Sequence, residues 1–130
     1  MKRNEFLHLT GAGLGAVALS SACSLLDAPE MRVCTLAELE AVPYRIEKFN
    51  GRKIFLTLRE GNVVIFSLIC RHKRCTVAWE ESREQFECPC HEGVYDREGE
   101  VVDGPPPAPL HRFKHEIRDG DVWVLNAYEG

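Results

Sequence analysis

The chain has 130 residues, 45% of them hydrophobic, and a formal net charge of −4. That length limits it to one domain with room for a tail, and the hydrophobic content suffices for a core. The negative charge argues against a nucleic-acid partner, while ten glycines and seven prolines suit a loop-rich all-β protein.

Residues 1–22 read as a signal segment. Lys2 and Arg3 give a basic start, and Leu9 to Ala22 is an apolar, glycine-containing run without charge. It is too short for the roughly 20 apolar residues of a membrane span and fits a signal-peptide core. Leu19-Ser20-Ser21-Ala22-Cys23 resembles a bacterial lipobox, which makes Cys23 the lipidated first residue of the mature chain; the alternative is a short uncleaved helix anchor. Lys2-Arg3-Asn4-Glu5-Phe6-Leu7 resembles a twin-arginine signal, except that Asn4 stands where the second Arg belongs. Either export route delivers the chain outside the reducing cytosol, to a compartment where a disulfide can persist. Residues 23–31 read as a tether, and the domain proper is placed over 32–130.

The first strand is predicted over Met31–Cys34, with Thr35 capping a helical turn at Leu36–Leu39. From Tyr44 the pattern is β. Asn50-Gly51 signals a hairpin between Tyr44–Phe49 and Arg52–Leu58. Ile54, Leu56 and Leu58 alternate with Phe55, Thr57 and Arg59, which gives an inner face and a mixed face. Glu60-Gly61-Asn62 turns into the apolar run Val63–Ile69, which leads straight into Cys70. Val77–Trp79 and Gln85–Glu87 form the next hairpin, with Trp79 and Phe86 packing a small subdomain. Val94-Tyr95 and Glu100–Val102 follow. His111–Ile117 and Asp121–Leu125 close the chain across Asp119-Gly120. His111 and His115 share a strand face, but lack an evident cysteine or carboxylate partner, so surface or partly buried histidines are preferred to a second metal pair.

Two stretches carry the chemistry: Cys70-Arg71-His72-Lys73-Arg74-Cys75 and Cys88-Pro89-Cys90-His91-Glu92-Gly93, with fifteen residues between His72 and Cys88. Each offers a thiolate and an imidazole, and each holds one further cysteine, so a metal site and a disulfide are possible together. Two thiolates and two imidazoles suit one tetrahedral zinc, or a two-iron cluster with one ligand pair on each iron. A Cys and a His separated by one residue make a poor zinc knuckle, since zinc fingers space their ligands two to four apart.

The two stretches resemble the Rieske [2Fe-2S] proteins of the cytochrome bc branch, whose loops read C-T-H-x-G-C and C-P-C-H-G-S. The resemblance implies that Cys70 and Cys88 hold one iron and His72 and His91 the other, with a Cys75–Cys90 disulfide clamping the loops. Gly104-Pro105-Pro106-Pro107-Ala108-Pro109-Leu110 resembles the family's proline loop, which covers the cluster from the far side. Tyr95 matches the tyrosine that bonds a ligand cysteine sulfur. The implied fold is an antiparallel β-sandwich base with a cluster-binding subdomain at about 70–95.

Three positions depart from the pattern. Lys73 and Arg74 replace a hydrophobic residue and a glycine, which suggests a basic rim facing an acidic partner. Gly93 replaces a serine that donates to a cluster sulfur, and losing that donor should lower the reduction potential. Cys34 is left over and read as a buried, inert thiol.

What the resemblance implies is one-electron transfer, exported and membrane-associated through a lipid or the N-terminal segment. The donor is a quinol or a redox enzyme, and the acceptor is cytochrome-type, as in a menaquinol–cytochrome c reductase. In the family the exposed imidazole edges meet the donor, a role carried over to His72 and His91. A freestanding periplasmic carrier, or the small subunit of a molybdenum oxidase such as arsenite oxidase, is the second reading. A zinc-binding structural module is the third. The sequence shows no substrate pocket, base or nucleophile beyond this site, so any catalysis would belong to a complex.

Overall fold

The computed structural model describes residues 26–90 and 92–130; the signal segment, Cys23 and His91 lie outside the described residues. In chain order the elements are β1 (Glu30–Thr35), α1 (Leu36–Glu40), β2 (Arg45–Phe49), β3 (Arg52–Arg59), β4 (Asn62–Ser67), β5 (Ala78–Glu80), β6 (Gln85–Cys88), β7 (Gly93–Tyr95), β8 (Val101–Asp103), β9 (Phe113–Arg118) and β10 (Asp121–Tyr128). They form three antiparallel sheets, ordered β1-β10-β9, β2-β3-β4 and β5-β6-β7-β8. The all-β architecture expected from the sequence is the one observed. No described helix is long and apolar enough to cross a membrane.

Local chemistry sets the corners. Asn50-Gly51, Glu60-Gly61 and Asp119-Gly120 all have two successive residues at positive φ, the backbone of a twist-matched two-residue hairpin. The single described helix starts on a capping box. The Glu38 amide donates to Thr35 Oγ1 at 2.9 Å, and the Thr35 amide donates to Glu38 Oε1 at 2.8 Å, which satisfies amides that a helix start leaves open.

The middle sheet is buried on both faces. Ile54 and Leu56 point into one core with Cys34, Leu39, Val122 and Val124. Phe55, one residue out of step, points into a second core with Phe66, Val77, Phe86 and Tyr95. The face expected to be mixed is therefore covered: Phe55 and Thr57 are each only 1% exposed, and Thr57 donates to the Pro43 carbonyl at 2.8 Å. A two-residue period cannot reveal this, because it separates the faces of a strand without saying what covers each.

Aromatic rings join the third sheet to the middle one. Phe55 lies 5.0 Å from Phe86, from Trp79 and from Tyr44, centroid to centroid, and Trp79 lies 4.8 Å from Phe86. Trp79 and Phe86 thus pack the small subdomain, as expected, and also join it to the middle sheet. Because truncating such a ring leaves a cavity that rigid sheets cannot close, Phe55→Ala should lower the unfolding free energy by about 3–5 kcal/mol. Chemical denaturation checks this, and a loss below about 1 kcal/mol would show that the two sheets do not share this core.

Candidate metal centre

The first loop grows directly out of β4. Phe66 and Leu68 anchor its approach in the second core, and a bridge between Ile69 and Thr76 closes its base. Inside it the Cys70 amide donates to the Cys75 carbonyl at 2.8 Å, and the Arg74 amide donates to the Cys70 carbonyl at 3.0 Å. The second loop leaves β6 at Cys88 and re-enters at Gly93, its cross-strand partner. Both loops are therefore carried on paired strands, which fixes side chains more firmly than a free loop does.

Cysteine chemistry divides as the sequence suggested. Cys75 and Cys90 form a disulfide with S–S 2.00 Å, linking the two loops. Cys70 and Cys88 stay outside it, both buried, at 1% and 2% exposure. Burial pushes the Cys70 thiol up, but hydrogen bonds from Tyr95, the His72 and Lys73 backbone and the Cys88 thiol outweigh it and hold Cys70 below its ordinary range. Two buried sulfurs side by side, surrounded by donors that favour the thiolate, suit a cationic thiolate-bound metal group. His72 sits partly buried on the first loop. Cys34 is 1% exposed, and burial raises its thiol, as expected of an inert core cysteine.

Tyr95 is the hub between the loops. Its hydroxyl accepts from the Arg71 amide at 3.1 Å and lies 3.5 Å from Cys70 Sγ. With the oxygen already accepting, its own proton is left for the sulfur. Burial, then the bond to Cys70, keeps this phenol well above its ordinary range, so it remains a donor.

The proline segment packs on the second loop. Pro106 is buried, whereas Pro105 and Pro107 are exposed. A Cβ built on Gly104, at φ +88°, would lie 2.8 Å from Gly93 Cα and 2.9 Å from the Glu92 carbonyl oxygen, so two glycine backbones pass in close contact. Arg71 ties the segment to the first loop, donating from Nη1 to the Pro109 carbonyl at 2.7 Å. Sequence reasoning missed this link, because an arginine in a metal loop carries no signal of its target.

Gly93 also has a packing reason: a Cβ there would meet Pro106 Cγ at 2.7 Å and Cδ at 3.0 Å. The proline ring fills the space a serine would use. His111 and His115 are separated: His115 lies within β9, while His111 precedes it and stacks on Tyr128 at 3.9 Å and 2°.

Overpacking typically costs about 1–3 kcal/mol, so Gly93→Ser alone should destabilise by that amount. Gly93→Ser with Pro106→Ala, which removes the opposing ring atoms, should recover most of it. Thermal unfolding of both variants checks this, and equal losses would place the strain elsewhere.

Comparison with known proteins agrees with this geometry. The Rieske [2Fe-2S] domain matches residues 30–114. The cytochrome b6-f complex iron–sulfur subunit of Chlorobaculum tepidum is 30% identical over 95% of this chain and 75% of its own length. The menaquinol:cytochrome c reductase iron–sulfur subunit of Bacillus subtilis is 29% identical over 98% of this chain and 93% of its own. Among solved structures, the plasma membrane Rieske protein PetC3 of the cyanobacterium Synechocystis PCC 6803 shares the fold with a TM-score of 0.59, at 23% identity, over 72% of this chain and 97% of that one. The chain belongs to the Rieske [2Fe-2S] family, and its cofactor is a [2Fe-2S] cluster rather than a zinc ion.

Proposed function

We propose that this chain is the iron–sulfur subunit of a cytochrome bc-type complex, passing single electrons from a quinol to a cytochrome-type acceptor outside the cytoplasm. The observation that supports it most is the pair of buried thiols, Cys70 and Cys88, set beside a separate Cys75–Cys90 disulfide. In this reading Cys70 and Cys88 hold one iron, and His72 and His91 hold the other. The cluster supplies one-electron chemistry at a potential raised by its histidines. The chain's own residues do the rest: the disulfide keeps the loops together, Tyr95 donates to the Cys70 sulfur, and Pro106 shields the second loop.

The names of both relatives support the bc-type assignment, since each is an iron–sulfur subunit of such a complex. Residues 1–22 serve as the signal and Cys23 as the lipidated anchor on the outer face of the membrane; the tether, expected over 23–31, ends where β1 begins, because Glu30 and Met31 already pair with Leu125 and Val124. With Gly93 unable to donate to a cluster sulfur, we place the potential below that of ubiquinol-oxidising members, which suits a menaquinol-like donor. Catalysis in the enzymatic sense belongs to the assembled complex.

An electron paramagnetic resonance redox titration of the exported protein tests the reading. A Rieske-type signal lost in His72→Cys is expected; an unchanged signal in that variant would remove His72 from the ligand set. Tyr95→Phe deletes one hydrogen bond, worth about 1 kcal/mol. At about 59 mV per 1.4 kcal/mol for one electron, the potential should fall by roughly 40 mV. Voltammetry checks this, and no fall would show that the hydroxyl donates elsewhere.

A further inference from the structure

One face beside the first loop is basic in a way that the rest of the surface is not. Lys48, Arg52, Lys53 and Arg74 line a single groove of about 290 Å³, together with Gly51, Ile69 and Thr76. No carboxylate lines it, and all four cations are exposed. None of the ion pairs among the described residues uses any of them. By contrast, each of the seven described arginines outside this face and the first loop has a carboxylate partner. Asp27 lines a neighbouring cavity with Arg52 and Lys53, yet no ion pair joins it to either.

Two features of the groove run against stability. Lys48 and Lys53 stand directly opposite each other in the β2–β3 ladder, a like-charge pair that disfavours the hairpin. Arg74 sits at φ +62°, in the left-handed region where an L side chain is strained and glycine is not. Among the described non-glycine residues at positive φ it is the only cation. Local rules broken together at one place mark function more often than accident. Lys73, also exposed, extends the same charge along the first loop.

We propose that this groove docks an acidic segment of a protein redox partner. Charge complementarity selects an anion, and the concave shape fits a protruding acidic segment better than a flat headgroup plane. Position selects a redox partner: Ile69 and Thr76, which bracket the Cys70–Cys75 loop, also line the groove, so a docked partner lies against the loop bearing Cys70 and His72. On a chain of net charge −4, an isolated basic face also orients an approaching acidic partner and raises its association rate. The identity of the partner rests on the electron-transfer reading; the binding itself does not.

The test uses the full cluster-loaded protein and fluorescein-labelled poly-L-glutamate, read by fluorescence anisotropy across a salt series. Wild type should bind at low salt. Lys48→Gln/Arg52→Gln/Lys53→Gln should weaken binding by about tenfold, and Arg32→Gln/Arg83→Gln/Lys114→Gln, with the same change in net charge, by less than about twofold. Arg74→Gly should weaken binding while raising the melting temperature, because it removes a cation and relieves the backbone together. Equal losses in the two triple variants would overturn the proposal, as would wild type that binds phosphatidylglycerol vesicles but not poly-glutamate. A failure here leaves the paramagnetic signal untouched, so it is distinguishable from a failure of the electron-transfer reading.

Discussion

Two sulfurs must be held buried and close together without joining to each other, and much of the small subdomain follows from that constraint. The Cys75–Cys90 disulfide meets it from outside, tying the loops across a separation of fifteen residues. Closing a loop of that size restricts the unfolded chain by about 3 kcal/mol in the chain-entropy view. The disulfide also occupies the two cysteines most able to scramble with Cys70 and Cys88. Tyr95 meets the constraint from inside, with one hydroxyl serving the Arg71 amide and the Cys70 sulfur. Pro106 and Gly104 close the third side against Gly93. The disulfide joins both loops, Tyr95 holds the first and Pro106 the second, so the site is fixed by agreement among segments distant in sequence.

The scaffold transmits that rigidity because the middle sheet is shared. β3 and β4 supply alternate residues to two cores, so the strand that ends in the first loop is clamped on both faces. Phe55 and Phe66 meet Phe86, which lies two residues before Cys88. The second loop is thereby anchored to the same sheet as the first. A subdomain of four short strands has little core of its own, and it borrows one from the base.

Electrostatics divides the surface along similar lines. Arginines on the base and around the third sheet are matched with carboxylates at short range, as Arg118 is with Glu30 at 2.8 Å and Arg83 with Glu87 at 2.9 Å. Such exposed pairs add little stability, but they leave no net field. Around the first loop the cations are unmatched. A protein that is acidic as a whole therefore presents a basic face next to the residues that carry its chemistry.

The sequence by itself determined the chemistry and most of the strands. Alternation and the Asn50-Gly51 and Asp119-Gly120 turns are local signals, so the hairpins were legible from neighbours a few residues apart. The C-x-H and C-P-C-H spacings are local too, and the division of four cysteines between disulfide and thiols followed from the family that they resemble. Only the tertiary structure decided what covers each face and what fills each gap. Phe55 became core because the third sheet lies on it. Gly93 proved to be a close approach for Pro106 as well as a position without a hydroxyl. Lys48, Arg52 and Lys53 became neighbours of Arg74 because the β2–β3 hairpin folds beside the first loop. Each of these depends on contacts between residues far apart in the chain, and such contacts arise from packing, which no local period or motif encodes.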